Sequence, residues 1–347
     1  MDLSQKTDVR SLTLPQLQEH MVAAGEKAFR AKQVYEWLWK KSAHSFEQMT
    51  NLSKELRVWL TERYTINNVS IATQQKSNDG TIKNAFKLYD DNIIEGVLIP
   101  TTDRMTACVS SQVGCSLTCK FCATGYMDRK RNLNADEIYD QVVLIDRQAR
   151  ENYEIPLSNI VYMGMGEPLL NYANVMKSIE RITSPDGLGM SPQRITVSTA
   201  GVAKMIKKMA DDGARFNLAL SLHAANDEKR NQIMPINESN NLEVLGEALA
   251  YWYEKTGSRV TFEYIVFNHF NDEIEDAREL WQFSKKLPCK INLIEYNPIS
   301  NADFLNADGD KIEKFKTFLE NKGLIVNIRR SRGKDIDAAC GQLANKH

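Results

Sequence analysis

The sequence has few of the features that mark disordered, fibrous or membrane-spanning chains. Its 347 residues include only 17 Gly and 9 Pro, and we find no low-complexity segment and no internal repeat. No apolar run approaches the roughly 18 residues that a membrane-spanning helix needs, and the first residues lack the basic-then-apolar plan of a signal peptide. With 42% hydrophobic and 26% charged residues, the composition predicts a globular protein that stays in the cytoplasm and contacts no membrane.

A large excess of charge of one sign is also missing. Lys and Arg number 44 and Asp and Glu number 45, so the formal net charge of −1 does not identify a partner. Two local basic runs are more informative, because either could bind phosphates. Short basic runs are, however, more often ordinary solvated surface. The runs are residues 129–131 and, near the C-terminus, Arg329, Arg330, Arg332, Lys334 and Lys346.

Cysteine is scarce, and the six cysteines are unevenly placed. In a reducing cytoplasm they are not expected to form a structural disulfide framework, so clustered cysteines indicate metal ligands or reactive thiols. Three fall in one short loop, and Cys108, Cys289 and Cys340 stand apart. A lone cysteine is usually a small buried hydrophobe, and we interpret Cys289 in that way.

The first third of the chain divides into a helical part and a hairpin. Apolar residues between positions 12 and 21 are spaced for one helical face, and residues 31–41 continue the same period, which predicts a helical domain over residues 1–75. Trp37 and Trp39 could stack on bases, but core packing is the more common role of such aromatics. Two β-type runs around a turn at positions 90–92 then predict a β-hairpin linker over residues 76–103.

From residue 104 onward, short apolar strands alternate with helices. Such repeated βα units imply a parallel sheet, either open and doubly wound or closed as a complete or partial barrel, with ligands at the carboxyl ends of the strands. The predicted strands are 105–110, 159–165, 194–199, 216–222, 259–267, 290–296 and 324–329. The predicted helices are 135–150, 173–181, 202–212, 242–255, 272–286 and 311–322.

The clustered cysteines, Cys115, Cys119 and Cys122, have the spacing C-x3-C-x2-C directly after the first core strand. Three thiolates on one loop can bind three irons of a 4Fe–4S cluster, which leaves the fourth iron open for a substrate. A zinc site is the alternative. It would need a fourth Cys or His, and this loop has none, because the five histidines lie at positions 20, 44, 223, 269 and 347.

This loop resembles that of the radical S-adenosylmethionine (SAM) superfamily, which implies an α/β fold with a partial or complete barrel. Gly166 and Glu167, after the next strand, resemble the segment of that superfamily that binds the amino group of SAM. Taken alone, a Glu in this place is commonly a helix cap or a surface group. Further polar positions at or just past strand ends could contact SAM, although each alone would more often only terminate a strand: Ser198, the stretch Ser221, Leu222 and His223, and Asn297.

Residues 109–115, 163–169 and 335–343 together resemble the bacterial dual-specificity adenine-C2 RNA methyltransferases over roughly residues 80–345. The resemblance implies three catalytic residues. Cys340 is the implied methyl carrier, which forms an S-methylcysteine, and Cys108 is the implied resolving thiol, which forms a transient disulfide with Cys340. Glu95 is the implied proton acceptor, although an exposed strand glutamate would be the first interpretation of that position from the residues alone.

The same resemblance implies the cofactors and partners. They are one 4Fe–4S cluster per chain, two SAM molecules per turnover, 23S rRNA, tRNA and a one-electron reductant. We also expect a monomer in which residues 1–75 form an RNA-binding accessory domain and residues 104–347 form the catalytic domain with the methyl-carrier segment. Two alternatives stay open: the sister family that methylates adenine C8, and a non-catalytic Fe–S or zinc RNA-binding protein.

Overall fold

The computed structural model describes residues 6–345. Residues 1–5, Lys346 and His347 lie outside the described residues, as do the outer ends of the predicted domains 1–75 and 104–347.

Three helices form a small N-terminal module. Apolar side chains from all three helices are fully buried, among them Leu17, Leu38 and Leu60. The first helix begins with a capping box, in which Thr13 and Gln16 satisfy each other's free backbone N–H groups. The elements, in chain order, are β1 Thr7–Asp8, α1 Leu14–Ala23, α2 Phe29–Trp39, α3 Lys54–Arg63 and β2 Tyr64–Thr65, and β1 pairs with β2.

An antiparallel three-stranded extension follows, formed by β3 Ser70–Lys76, β4 Ile82–Lys87 and β5 Ile93–Pro100. The predicted hairpin is confirmed as β4–β5. Strand β3 was not predicted, because its side chains are mostly exposed and polar and so show no apolar alternation. The predicted boundary after residue 75 falls inside β3, and the division into functional domains stays a proposal.

The remainder of the chain is the predicted succession of βα units. All seven predicted strands and all six predicted helices are confirmed, with small shifts at their ends. The short helix α7 was not predicted, since it has too few turns to show a period. The elements are β6 Met105–Cys108, β7 Gln112–Val113, β8 Arg131–Asn132, α4 Ala135–Tyr153, β9 Asn159–Tyr162, α5 Tyr172–Thr183, β10 Ile195–Thr199, α6 Ala203–Asp211, β11 Asn217–Ser221, α7 Asp227–Ile233, α8 Leu242–Thr256, β12 Val260–Val266, α9 Ile274–Ser284, β13 Cys289–Glu295, α10 Gly309–Asn321 and β14 Ile325–Arg329.

Ten of the strands form one sheet in the order β14-β13-β12-β11-β10-β9-β6-β5-β4-β3, and β7 and β8 form a separate antiparallel pair. Within the large sheet, the seven strands β6 and β9 to β14 are parallel to one another, and β5, β4 and β3 extend the sheet antiparallel from β6. The sheet is curved, as shown by the contact between Arg329 at the end of β14 and Met163 just past β9. The architecture is therefore the predicted partial barrel, and its parallel strands end together around one space.

The N-terminal module is anchored to α4 of the barrel. Trp39 is 1% exposed and packs edge-on against Tyr139, with ring centroids 5.2 Å apart, and the Tyr139 hydroxyl donates to the Trp39 carbonyl. Arg10 is buried and pairs with Asp140 at 2.7 Å. Core packing is thus confirmed for Trp39, whereas Trp37 is only partly buried and donates to Asn51 at 2.5 Å.

Within residues 6–345, no helix combines the length and the apolarity that crossing a bilayer requires.

Candidate active site

A cavity of about 910 Å³, counted with its open mouth, lies at the carboxyl ends of the parallel strands. Residues from six neighbouring strands, β9 to β14, line it, as expected for a barrel of this kind. The predicted metal, cofactor and catalytic residues number thirteen. Nine of them line the cavity: Cys115, Cys119, Cys122, Gly166, Glu167, Ser198, Ser221, His223 and, from the C-terminal segment, Cys340. Leu222, Asn297, Glu95 and Cys108 do not.

The cysteine loop is shaped by a glycine and a short turn. Gly114 has a φ of +76°, and a Cβ there would lie 2.2 Å from the Asp128 carbonyl oxygen, so only glycine fits before Cys115. The 3-10 turn Ala123–Tyr126 follows Cys122 directly. Phe121 packs edge-on against His223 at 4.6 Å. The loop conformation thereby turns all three thiols toward one cavity.

The three thiols fit a cluster by their number and electrostatics. Burial raises the pKa of Cys115 to about 11 and also raises the pKa values of Cys119 and Cys122. The nearby sulfur of Cys122 raises the pKa values of Cys115 and Cys119 further. A bound cationic group removes this penalty, because metal-bound thiols are deprotonated. Within residues 6–345, no three His, Cys, Asp or Glu side chains are grouped closely enough for a single ion, whereas a 4Fe–4S cluster takes each thiolate on its own iron.

Gly166 and Glu167 form a tight corner after β9. Gly166 has a φ of +93°, and a Cβ there would lie 2.4 Å from Gln112. The carboxylate of Glu167 accepts from the backbone N–H groups of Ala200 at 2.8 Å and Leu169 at 3.0 Å, while burial raises its pKa. Glu167 thus presents a carboxylate in a fixed position to the cavity, and an ammonium group can bind such a carboxylate.

The polar residues at the ends of β10 and β11 also face the cavity. The hydroxyls of Ser198 and Ser221 lie 3.4 Å apart. The Nδ1 of His223 accepts from the Ile265 backbone N–H at 3.1 Å, and burial lowers the pKa of this imidazole to about 3. His223 is therefore a neutral ring at physiological pH, able to contact a ligand through Nε2 without adding charge.

Leu222 and Asn297 have other positions. The Leu222 side chain is fully buried, and its carbonyl accepts from Arg230 at 3.1 Å. The amide of Asn297 donates to the Cys340 carbonyl at 3.2 Å, and its buried Oδ1 has no hydrogen-bond partner. A SAM contact by either residue stays a prediction, as it does for the five predicted SAM residues that line the cavity.

The two remote cysteines lie near each other, although 232 positions separate Cys108 from Cys340 in the chain. Burial, followed by the nearby sulfur of Cys340, raises the pKa of Cys108 to about 12. Both cysteines are free thiols, so the predicted disulfide is absent from this structure and stays a proposal as a transient species. Cys289, the first residue of β13, is buried, as predicted.

Arg329 is the neighbour that both cysteines share, and its place in the site was not predicted from the sequence. The charge of Cys340, followed by those of Glu263 and Cys108, raises the pKa of Arg329. Its guanidinium lies 3.6 Å from Glu263, whose other carboxylate oxygen accepts from Asn292 at 2.8 Å. Glu263 and Asn292 are register partners on β12 and β13. The contacts among Arg329, Glu263 and Asn292 therefore depend on strand pairing and could not be predicted from residue types.

Glu95 is completely buried, so its interpretation as an exposed strand residue is wrong. It does not line the cavity. One carboxylate oxygen accepts from the backbone N–H groups of Ala344 at 2.8 Å and Asn345 at 3.1 Å. The other lies 3.4 Å from Lys83 Nζ. Glu95 thus contacts the segment that carries Cys340.

The basic run 129–131 is not uniform. Arg131 is held by Asp90 at 2.6 Å and by Glu137 at 2.7 Å, so two carboxylates neutralise it and it joins the hairpin turn to α4. Arg129 and Lys130 are exposed. Only these two residues of the run keep a free face for phosphates.

Arg230 is a structural centre of the site that the sequence did not indicate. Its side chain is fully buried and donates to the carbonyls of Ala200 at 2.6 Å and Leu222 at 3.1 Å and to Asn237 at 2.6 Å. Burial lowers its pKa to about 10, so it stays charged at neutral pH. Ala200 also donates to Glu167, and Arg230 therefore braces the backbone that holds that carboxylate.

We expect Arg230→Met to lower the free energy of unfolding by about 3 kcal/mol, because three buried acceptors lose a charged donor. Arg230→Lys cannot bridge all three acceptors, but it keeps the buried positive charge. It should therefore lose less stability than Arg230→Met. Chemical denaturation of the two variants beside the parent measures the difference. An unfolding midpoint for Arg230→Met equal to that of the parent would contradict the bracing role.

Comparison with known proteins agrees with this site. The family model described as "Radical SAM superfamily" matches residues 109–280, and the one described as "Ribosomal RNA large subunit methyltransferase N-terminal domain" matches residues 7–66. A crystal structure of a radical SAM methyltransferase from Sphaerobacter thermophilus is similar with a TM-score of 0.92 at 39% identity, covering 98% of this chain and 100% of that one.

Two curated relatives are more similar in sequence, and both are named probable dual-specificity RNA methyltransferase RlmN. The relative from Cytophaga hutchinsonii is 66% identical over 98% of this chain and 93% of its own length. The relative from Christiangramia forsetii is 61% identical over 98% of this chain and 97% of its own length. The chain therefore belongs to the RlmN family of dual-specificity RNA methyltransferases.

Proposed function

We propose that this protein is a radical SAM RNA methyltransferase that methylates C2 of two adenines. One lies in the peptidyl-transferase loop of 23S rRNA, and the other lies 3′ to the anticodon in tRNA. The observation that carries the proposal is that one cavity brings Cys340 to the three loop cysteines across more than 200 positions of sequence. The names of the curated relatives and the match to the ribosomal RNA methyltransferase N-terminal domain support the RNA substrate.

Cys115, Cys119 and Cys122 would hold the 4Fe–4S cluster. When bound, the cluster supplies one electron to SAM and so gives access to radical chemistry at the methyl group. Adenine C2 lies between two ring nitrogens and is too electron-poor to displace a methyl group from SAM directly. Glu167, Ser198, Ser221 and His223 would bind SAM at the strand ends.

The chain's own residues then divide the transfer into steps. Cys340, as a thiolate, would take the methyl group from one SAM, since a cysteine sulfur is a strong nucleophile. After the methyl group on Cys340 has lost one hydrogen atom and its carbon has joined adenine C2, Glu95 would accept the C2 proton. Cys108, as a thiolate, would then attack the Cys340 sulfur and form a disulfide. The bond between that sulfur and the transferred carbon would break, and the carbon would keep the electron pair and take up a proton to become the methyl group. Two SAM molecules are consumed for each methyl group delivered.

The proposal extends to partners and place. The target adenine must leave its stack or loop to reach the cavity, and residues 1–75 would help to hold the RNA while residues 104–347 carry the chemistry. The protein would act as a cytoplasmic monomer that draws its electrons from a separate one-electron reductant.

Replacing any one loop cysteine should abolish the cluster. Cys115→Ala, Cys119→Ala and Cys122→Ala are each expected to lose the brown colour and at least about nine-tenths of the bound iron, because three ligands are the minimum for this loop. The fold should persist, since all three side chains only line the cavity. Iron analysis and the visible spectrum measure the effect, with Cys289→Ala as the control. A full cluster in any loop variant refutes the ligand assignment.

The overall proposal is tested by anaerobic turnover with SAM, a reductant and RNA. We expect 5′-deoxyadenosine and a methylated adenosine whose mass-spectrometric fragmentation identifies C2. Methylation at C8 would instead assign the protein the activity of the sister family that methylates adenine C8. A protein that binds RNA but releases no 5′-deoxyadenosine would be the non-catalytic alternative.

A further inference from the structure

The segment that carries Cys340, here residues 340–345 and called the carrier segment, is bound along its length. The Gly341 carbonyl accepts from the Ala123 backbone N–H at 2.7 Å. The Leu343 carbonyl accepts from the Thr124 hydroxyl at 2.5 Å. Both donors belong to the turn after the last loop cysteine, so the carrier segment lies against the cysteine loop.

The far end of the carrier segment is held by Glu95. Its Oε2 accepts from both Ala344 and Asn345, at 2.8 and 3.1 Å, and the Asn345 side chain donates to the Ile93 carbonyl on the same strand at 2.8 Å. Glu95 is 0% exposed, and its partner Lys83 is 4% exposed. A buried carboxylate with two backbone donors makes strong, charge-assisted hydrogen bonds.

The two oxygens of this carboxylate differ. Oε2 makes both hydrogen bonds to the carrier segment, whereas Oε1 makes none and lies 3.4 Å from Lys83 Nζ. A role only as proton acceptor would not require contacts with the carrier segment. The contacts therefore point to a second role for Glu95, at the carrier segment.

We propose that Glu95 is the positioning residue of the carrier segment, holding the backbone of Ala344 and Asn345 so that Cys340 faces the cavity. This inference rests on the proposed function. It assigns Glu95 a part in the first methyl transfer, in which no adenine proton is yet involved. When Glu95 later accepts the C2 proton, it loses its negative charge, its hydrogen bonds to the carrier segment weaken, and the carrier segment is freed as the RNA departs.

The test separates the two roles with three variants of the full-length holoenzyme. Glu95→Ala removes both the positioning contacts and the proton acceptor. Glu95→Gln keeps an oxygen that can accept from both N–H groups but is a poor base. Ala344→Pro removes one N–H donor and leaves Glu95 intact. Iron content and thermal unfolding identify any variant that has lost its fold.

The first readout is hydrogen exchange of the C-terminal peptide, measured by mass spectrometry without RNA. Exchange should be about tenfold faster in Glu95→Ala and Ala344→Pro and close to that of the parent in Glu95→Gln. The second is the rate at which SAM methylates Cys340 before RNA is added. It should fall by about tenfold in the same two variants and be largely kept in Glu95→Gln, which should fail later, at RNA release.

Unchanged exchange and unchanged Cys340 methylation in Glu95→Ala would overturn the positioning role. So would slower methylation with unchanged exchange, because Glu95 would then act by another route. If the parent itself places no methyl on Cys340, the proposed function fails, whereas the exchange comparison still decides whether Glu95 positions the carrier segment.

Discussion

Replacing Cys108 with alanine is expected to leave the protein covalently joined to RNA through Cys340. The methyl carbon would already link the Cys340 sulfur to adenine C2, and no second thiol would attack that sulfur. The structure supports this role, because Cys108 at the end of β6 lies near Cys340 with Arg329 beside both. We expect release of methylated RNA to slow by roughly a thousandfold or more, as for loss of a nucleophile.

Anaerobic turnover followed by a denaturing gel, with and without nuclease, measures the adduct. A slow, nuclease-sensitive band should appear in Cys108→Ala and disappear in Cys108→Ala/Cys340→Ala, where no carbon bridge can form. Cys289→Ala is a matched control, because Cys108 and Cys289 are both buried thiols at 7% exposure. Normal turnover of Cys108→Ala without an adduct would make Cys108 a packing residue and assign release to another group.

Replacing Cys340 with alanine should abolish methyl transfer to RNA while leaving the cluster and SAM cleavage in place. The cluster ligands lie on a separate loop, and the carrier segment is held through backbone groups that alanine retains, including the Cys340 carbonyl that accepts from Asn297. We expect at least about a thousandfold loss of methylated RNA, because the methyl group has no other carrier.

Three measurements on Cys340→Ala check this expectation. Iron content should match that of the parent, 5′-deoxyadenosine should still form, and mass spectrometry should find neither methylated protein nor methylated adenosine. Cys340→Ser provides a smaller change of shape with a much weaker nucleophile and should behave in the same way. If either variant produced methylated RNA at the parental rate, Cys340 would not be the methyl carrier.

Much of the fold was predictable because its signals are local. The apolar runs of the seven parallel strands and the periodicity of the six predicted helices follow from burial on defined faces. Local patterning failed where burial was unusual. Strand β3 is exposed and polar and owes its conformation to pairing with β4, and α7 is too short for a period to show.

The residues of the site differ in the same way, because some were predictable from local sequence and others were not. The spacing of Cys115, Cys119 and Cys122 is a local property, because one loop presents all three thiols, and the sequence by itself therefore determined the ligand set that we propose for the cluster. Residue types alone could not place Arg230, Arg329 and Glu263, because their partners come from distant segments through hydrogen bonds and strand register.

The sequence determined the chemistry that each cysteine can perform, and the tertiary structure decided which of them meet. Cys108 and Cys340 become neighbours only because the sheet curves and the C-terminal segment returns across its carboxyl ends. Glu95 illustrates the same limit, because its position suggested an exposed residue and folding buried it against the carrier segment. Burial and long-range hydrogen bonds are properties of the whole chain, so no local pattern of residues encodes them.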